Sequence, residues 1–293
     1  MSTIEIKNMT KDYGDGRGIF DINLSIEKGE VFGFVGTNGA GKTTVIRHIM
    51  GFLQPQAGRC SINGLDSWKD SAEIKTHIGY IPGEINFPDA KTGTEFLKWQ
   101  AELMGLTDMS YANEIIEKLQ LDPTANLKRM SKGMKQKTAI VAAFMADPDI
   151  LILDEPTTGL DPLMRVEFVN LLHEEKKKGK TIFMSSHMFE EVEHTCDKVA
   201  LIKEGKIIAV KPTIEVKHNI DKVYKIAFST TQDYERFLSE PFTFIEKREG
   251  QNQITVTVND QDINAFLRVL KGYPIQFITE IKYTLEKYFK SLY

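Results

Sequence analysis

One stretch constrains the fold of this chain more than any other. Gly36-Thr37-Asn38-Gly39-Ala40-Gly41-Lys42-Thr43 matches the pattern G-x-x-x-x-G-K-[ST], and Thr44 follows it. Before it stands the continuous apolar run Val31–Val35, which suits a strand buried on both faces. After it, residues 43 to about 53 read as a helix closed by Gln54-Pro55. Strand, glycine loop and helix together form the setting in which successive backbone N–H groups curl around phosphate. The helix N-terminus adds positive partial charge. A plain turn has no use for a lysine at this place, and the glycines cost backbone entropy. The pattern therefore predicts a polyphosphate ligand. Lys42 should reach its β- and γ-phosphates, the Thr43 hydroxyl should ligate Mg²⁺, and Thr44 should lie near the α-phosphate. Gly36, Asn38, Gly39, Ala40 and Gly41 shape the cradle.

The rest of the N-terminal two-thirds alternates strand and helix. Residues 4–9 and 21–26 alternate apolar with polar, as half-buried strands do. Residues 94–145 read as helical, with Ser131 as an N-cap and Asp147-Pro148 as the stop. Apolar strands return at 150–153, 181–185 and 199–202, with a helix over 163–178 between the first two. This order predicts an α/β layer around a mainly parallel sheet. Residues 211–221 read as a linker. Beyond them the order is strand, helix, strand, strand, helix, strand and a last helix, which predicts a small ferredoxin-like α+β module.

The strand at 150–153 ends in Asp154-Glu155, and parallel strands deliver such side chains to the ligand crevice. Two solvated acids at a turn are unremarkable alone. Beside a phosphate loop they predict a metal ligand, Asp154, acting through water, and a base or orienter for an attacking water, Glu155.

Composition sets outer bounds. A length of 293 residues suggests two domains. With 41% hydrophobic and 27% charged residues the chain has the balance of a soluble globular protein, and a net charge of −4 gives no global pull toward nucleic acid. Among the longest apolar runs, residues 140–146 fall far short of the ~20 needed to span a bilayer. No secretory signal is visible at the start. Cys60 and Cys196 have no CxxC context and read as buried, reduced thiols of a cytosolic protein.

At this point the chain resembles the ATP-binding subunit of an ABC transporter, over about residues 2–215, with an exporter-like character. Three features carry the resemblance beyond the widely shared phosphate loop. Met130-Ser131-Lys132-Gly133-Met134 lies 23 residues before Asp154, Thr158-Gly159-Leu160-Asp161 follows Glu155, and His187 follows the strand at 181–185. The resemblance implies a P-loop NTPase core over residues 1–215, with a helical subdomain at about 84–146 and an accessory module at 216–293. It implies ATP and Mg²⁺ as ligands. Ser131 and the N–H of Gly133 would contact the γ-phosphate of ATP held by a second ATPase subunit, either an identical copy or a paralogue. Asp161 would couple the two sites, His187 would contact the γ-phosphate, and Tyr13 would stack on adenine. The other histidines, His48, His77, His173, His194 and His218, read as structural.

Two departures stand out. The family segment Leu-Ser-Gly-Gly-Gln is here Met-Ser-Lys-Gly-Met, which keeps Ser131 and Gly133. The family glutamine after Ile-Gly-Tyr-x-Pro is missing, because Ile78-Gly79-Tyr80-Ile81-Pro82 continues with Gly83-Glu84. Glu84 is the candidate to take over its link to the metal. The function implied is ATP hydrolysis that powers transport, with export favoured. Closure would be passed through a polytopic membrane subunit docked near residues 83–104, on the cytoplasmic face of the cell membrane. The alternative is a soluble ATPase of the same superfamily acting on DNA or ribosomes. Such chains carry coiled-coil insertions, zinc modules or tandem ATPase halves. This one has a single phosphate loop, no heptad stretch, no CxxC and no basic stripe.

Overall fold

The computed structural model describes residues 2–217 and 220–292, so His218 lies outside the described residues. The chain divides into two compact units, Met1–Thr213 and Ile214–Tyr293.

The first unit opens with an antiparallel sheet. Strands β1 (Ser2–Gly14), β2 (Arg17–Glu27), β4 (Ala57–Ile62) and β5 (Leu65–Asp66) pair in the order β2-β1-β4-β5. Along β2, Ile22, Leu24 and Ile26 point into the core while Asp21, Asn23 and Ser25 are exposed. That is the period-2 alternation of a sheet with one face covered.

The second sheet has six strands: β3 (Val31–Val35), β6 (Ile78–Ile81), β7 (Ile150–Asp154), β8 (Thr181–Ser186), β9 (Lys198–Lys203) and β10 (Lys206–Pro212). Their order is β10-β9-β3-β8-β7-β6, parallel throughout except for the β9–β10 hairpin. Every residue of β3 and β7 is buried, as expected for inner strands of a parallel sheet. The non-consecutive order leaves β3 beside β8, so the ends of β3, β7 and β8 meet along one edge. Helix α1 (Lys42–Ile49) follows β3, α2 (Ser71–Lys75) precedes β6, and α7 (Phe189–Thr195) links β8 to β9. Residues 211–217 are the end of β10 and a short helix α8 (Thr213–Lys217) rather than an open linker.

Between β6 and β7 the chain is helical. Helices α3 (Gly93–Met104) and α4 (Ser110–Lys118) pack on α5 (Lys132–Phe144). Ser131 caps α5, its hydroxyl accepting the Met134 N–H at 3.2 Å. Asp161 caps α6 (Pro162–Lys177) in the same way, accepting the Met164 N–H at 3.0 Å. Helix α4 is tied to α6 at two points: the Tyr111 hydroxyl donates to the fully buried Glu175 at 2.5 Å, and Lys118 pairs with Glu174 at 2.6 Å.

In the second unit, β11 (Asp221–Phe228), α9 (Thr231–Phe237), β12 (Thr243–Arg248), β13 (Gln253–Asn259), α10 (Ile263–Leu270), β14 (Ile275–Glu280) and α11 (Leu285–Ser291) follow in turn. The sheet order is β12-β13-β11-β14, all antiparallel. Ile226, Phe228, Tyr234, Phe237, Val256 and Phe266 form its own buried core.

Candidate active site

The site is assembled from strand ends. At the end of β3 the chain turns through residues 36–41 into α1. Two glycines are fixed by geometry there. A Cβ on Gly36 would sit 2.4 Å from the carbonyl oxygen of Ile202, and Gly41 has φ +110° with Ile19 Cγ2 only 2.7 Å from where a Cβ would stand. Lys42 is 6% exposed. Its Nζ donates to the Gly36 carbonyl at 2.7 Å and to Thr37 at 3.3 Å, and pairs with Glu155 Oε1 at 3.2 Å.

The end of β7 supplies Asp154 and Glu155. Asp154 is fully buried. Its Oδ1 accepts the Ser185 hydroxyl at 2.5 Å, whereas Oδ2 has no hydrogen-bond partner among the described residues. Burial pushes this carboxyl above the ordinary range, against the lowering effect of the Ser185 hydroxyl. Glu155 has φ 51°, a left-handed conformation that is strained for a residue with a side chain. Ser185 holds it there, because the Glu155 N–H donates to the Ser185 carbonyl at 3.2 Å and hydroxyl at 3.1 Å. The end of β8 then places His187, whose Nδ1 lies 2.5 Å from Glu155 Oε2. Beyond β6, Gly83 presses on the acid: a Cβ there would stand 2.9 Å from Asp154 Oδ2.

These elements enclose a cleft of about 690 Å³. Asn38, Gly39, Gly41, Lys42, Thr43 and Thr44 line one side, with Glu84, Glu155 and His187 also on its wall. Gly36, Ala40 and Asp154 are buried. Glu84 is exposed and makes no hydrogen bond or ion pair among the described residues. Tyr13, Ser131, Gly133 and Asp161 do not line the cleft. Tyr13 is 54% exposed in the β1–β2 hairpin with Lys11 Nζ 5.7 Å from its ring centre. Ser131 and Asp161 are exposed helix caps. Gly133 sits against the loop after β7, where a Cβ would come within 2.8 Å of the Gly159 carbonyl.

Sequence reasoning missed Ser185 as the anchor of both acids, and it missed Arg47, Tyr80, Asn86 and Lys132 on the cleft wall. For Ser185 a signal existed, since it stands at a strand end two residues before His187. For the others none did, because tertiary packing alone brings them to the wall.

The residues fit a divalent cation. Asp154 Oδ2 is a buried, partnerless carboxylate oxygen, and the Thr43 hydroxyl is its neighbour. Among the described residues no three His, Cys, Asp or Glu side chains cluster as a metal cage. One carboxylate and one hydroxyl suit an ion that takes its remaining ligands from phosphate and water, as Mg²⁺ does.

Fold and cleft define a P-loop nucleotide hydrolase. Residues 19–158 match the family described as ABC transporter. The bacitracin transport ATP-binding protein BcrA of Bacillus licheniformis is 32% identical over 100% of this chain and 98% of its own length. The ABC transporter ATP-binding protein NatA of Bacillus subtilis is 39% identical over 66% of this chain and 80% of its own. A solved structure of the ATP-binding subunit of an ABC transporter superposes with TM-score 0.67 at 30% identity, covering 74% of this chain and 92% of that one. The chain belongs to the ABC transporter ATP-binding family. It is an ATP-binding and ATP-hydrolysing subunit that powers transport through a separate membrane subunit. Among the described residues no helix is long and apolar enough to cross a membrane.

Proposed function

We propose that ATP lies along the residue 36–44 cradle with its terminal phosphates at Lys42, and that Glu155 prepares the attacking water. The observation that carries this is the arrangement around Glu155. Its carboxylate spans Lys42 and His187, at 3.2 and 2.5 Å, across the mouth of the phosphate loop. A base must be within hydrogen-bond reach of the proton it takes, and a terminal phosphate held by Lys42 brings the attacking water to that place. His187 orients the carboxylate and meets the γ-phosphate. Thr43 and Asp154 would hold Mg²⁺, which would supply charge neutralisation to the phosphates. Glu84 has its carboxylate free on the same wall and adds an outer contact to the metal's water shell. Tyr13, exposed in the β1–β2 hairpin, would stack on adenine.

The site is completed by a second ATPase subunit, either a copy or a paralogue. Ser131 and Gly133 do not line their own cleft, and the exposed, capped N-terminus of α5 suits a γ-phosphate brought by another protomer. Asp161, exposed at the head of α6, would lie at that junction. A polytopic membrane subunit docks on the helical region near residues 83–104, where Trp99, Leu103 and Met104 are exposed. The chain therefore works peripherally, on the cytoplasmic face of the membrane. Likeness to a bacitracin transport protein over nearly its whole length supports export. The sheet order of the second unit supports reading it as a ferredoxin-like module, and we assign it a bracing role between protomers.

ATP turnover and equilibrium binding test the central assignment. Glu155→Gln should bind Mg·ATP normally and lose at least about a hundredfold in turnover, on the scale of losing a general base. Lys42→Ala should lose binding itself. A Glu155→Gln protein that hydrolyses ATP at the native rate contradicts the assignment.

A further inference from the structure

Helix α5 carries a cation where helix physics opposes one. Lys132 is its first residue, directly after the Ser131 cap, and the first turn holds no acid. The positive partial charge of a helix N-terminus disfavours an ammonium at that place. A local rule broken without a local gain points to a partner elsewhere. Among the described residues the Lys132 ammonium makes no hydrogen bond or ion pair. The side chain nevertheless has a definite course. Its stem crosses Gly159, in the loop behind Glu155, where a Cβ would stand 2.9 Å from Lys132 Cγ and 3.2 Å from Cδ. Lys132 thereby joins Lys42, Glu155, Thr158 and His187 on the wall of the cleft of its own chain. Lys42 is already engaged by Glu155 at 3.2 Å, and Glu84 shares the wall without pairing with Lys132. Arg47, also on the wall, stands in the last turn of α1, where the dipole favours a cation, so its place needs no ligand to explain it.

We propose that Lys132 is a phosphate-binding residue in cis, its ammonium contacting the terminal phosphate of the ATP held by the same chain. The inference rests on the placement of ATP along residues 36–44. The triphosphate supplies the negative partner that the helix N-terminus denies to Lys132. The terminal phosphate is the one met, because Lys132 reaches the wall over the loop that carries Glu155. The tip of α5 thus addresses two nucleotides, its own through Lys132 and another protomer's through Ser131 and Gly133.

Binding of the β,γ-imido analogue of ATP, with Mg²⁺, tests this on the full chain at concentrations where sedimentation shows a monomer. Lys132→Met keeps the stem and removes the charge. It should raise the Kd of the analogue about five- to tenfold, the scale of one charge-assisted hydrogen bond. The Kd for ADP should stay within about twofold. Lys132→Arg should bind both ligands within about twofold of the native values. Lys135 lines the neighbouring hollow but not the cleft, so Lys135→Met should bind as the native chain does. Without nucleotide, Lys132→Met should melt no lower than the native chain, since it removes a cation from a helix N-terminus. A native Kd for Lys132→Met overturns the proposal, as does an equal loss for ADP or an equal loss in Lys135→Met. A lowered melting temperature would make Lys132 a packing residue, and a loss confined to dimer-forming concentrations would place its ammonium on another protomer's nucleotide. Either result overturns the contact in cis. Lys42→Ala, measured alongside, separates the two levels. If it loses binding while Lys132→Met is native, only the Lys132 contact is wrong, and if it binds as the native chain does, the placement of ATP fails as well.

Discussion

Glu155 concentrates the residue-scale physics of this protein. It is ionically paired to Lys42, hydrogen-bonded to His187 and held at positive φ by Ser185. Its carboxylate is the counter-ion of the buried Lys42 ammonium. The two cysteines show the opposite extreme, groups held inert by burial. Cys60 and Cys196 are buried, and each thiol is pushed from an ordinary 9.0 up to about 12. Above about pH 9 the unfolded chain therefore releases protons that the folded chain keeps, so stability falls as pH rises through that range. Urea unfolding at pH 7 and pH 10 should show this decline, and a Cys60→Ala/Cys196→Ala variant should show less of it. An equal decline in the variant would assign the effect to other groups. Lys42, Thr43 and Glu155 were legible because a short pattern and its flanking strands determine their surroundings. Ser185 was not, since its partner Asp154, 31 residues away, becomes a neighbour only once the sheet is formed.

At the scale of elements, the helix tips matter most. Ser131 caps α5 through the Met134 N–H, and the same serine is proposed to meet another protomer's γ-phosphate. The two roles separate energetically. Ser131→Ala should cost about 1 kcal/mol of stability as a lost cap. It should also lower ATP turnover by more than tenfold, well beyond what so small a change in folded population produces. Thermal melts and steady-state turnover on one preparation decide this. A stability loss with native turnover would leave Ser131 a cap only. Helix α5 and the inner strands were legible, because Val31–Val35 and Ile150–Asp154 are apolar throughout and Ser131 stands before an apolar-periodic stretch. Strand β4 was not, since Ala57–Ile62 mixes glycine and arginine with its apolar residues and is held by pairing with β1. Helix α7 was missed because its seven residues carry three acids and too few apolar positions to set a period.

For the molecule as a whole, the unusual property is incompleteness. The cleft brings together a phosphate cradle, a metal ligand and a base, yet of the Ser131–Gly133 tip of the same chain only Lys132 reaches its wall, and Ser131 and Gly133 do not. Two residue sets that the sequence placed in one machine are thus divided, which is intelligible if each protomer supplies half of two sites. The sequence carried this only through likeness to a family, because a contact between chains leaves no periodicity in either of them. The most direct measurement is sedimentation of the Glu155→Gln chain with saturating Mg·ATP. The expected result is a dimer that reverts to monomer when nucleotide is removed and that does not form with Lys42→Ala. A chain that binds ATP fully and remains monomeric at every concentration tested would contradict the shared site.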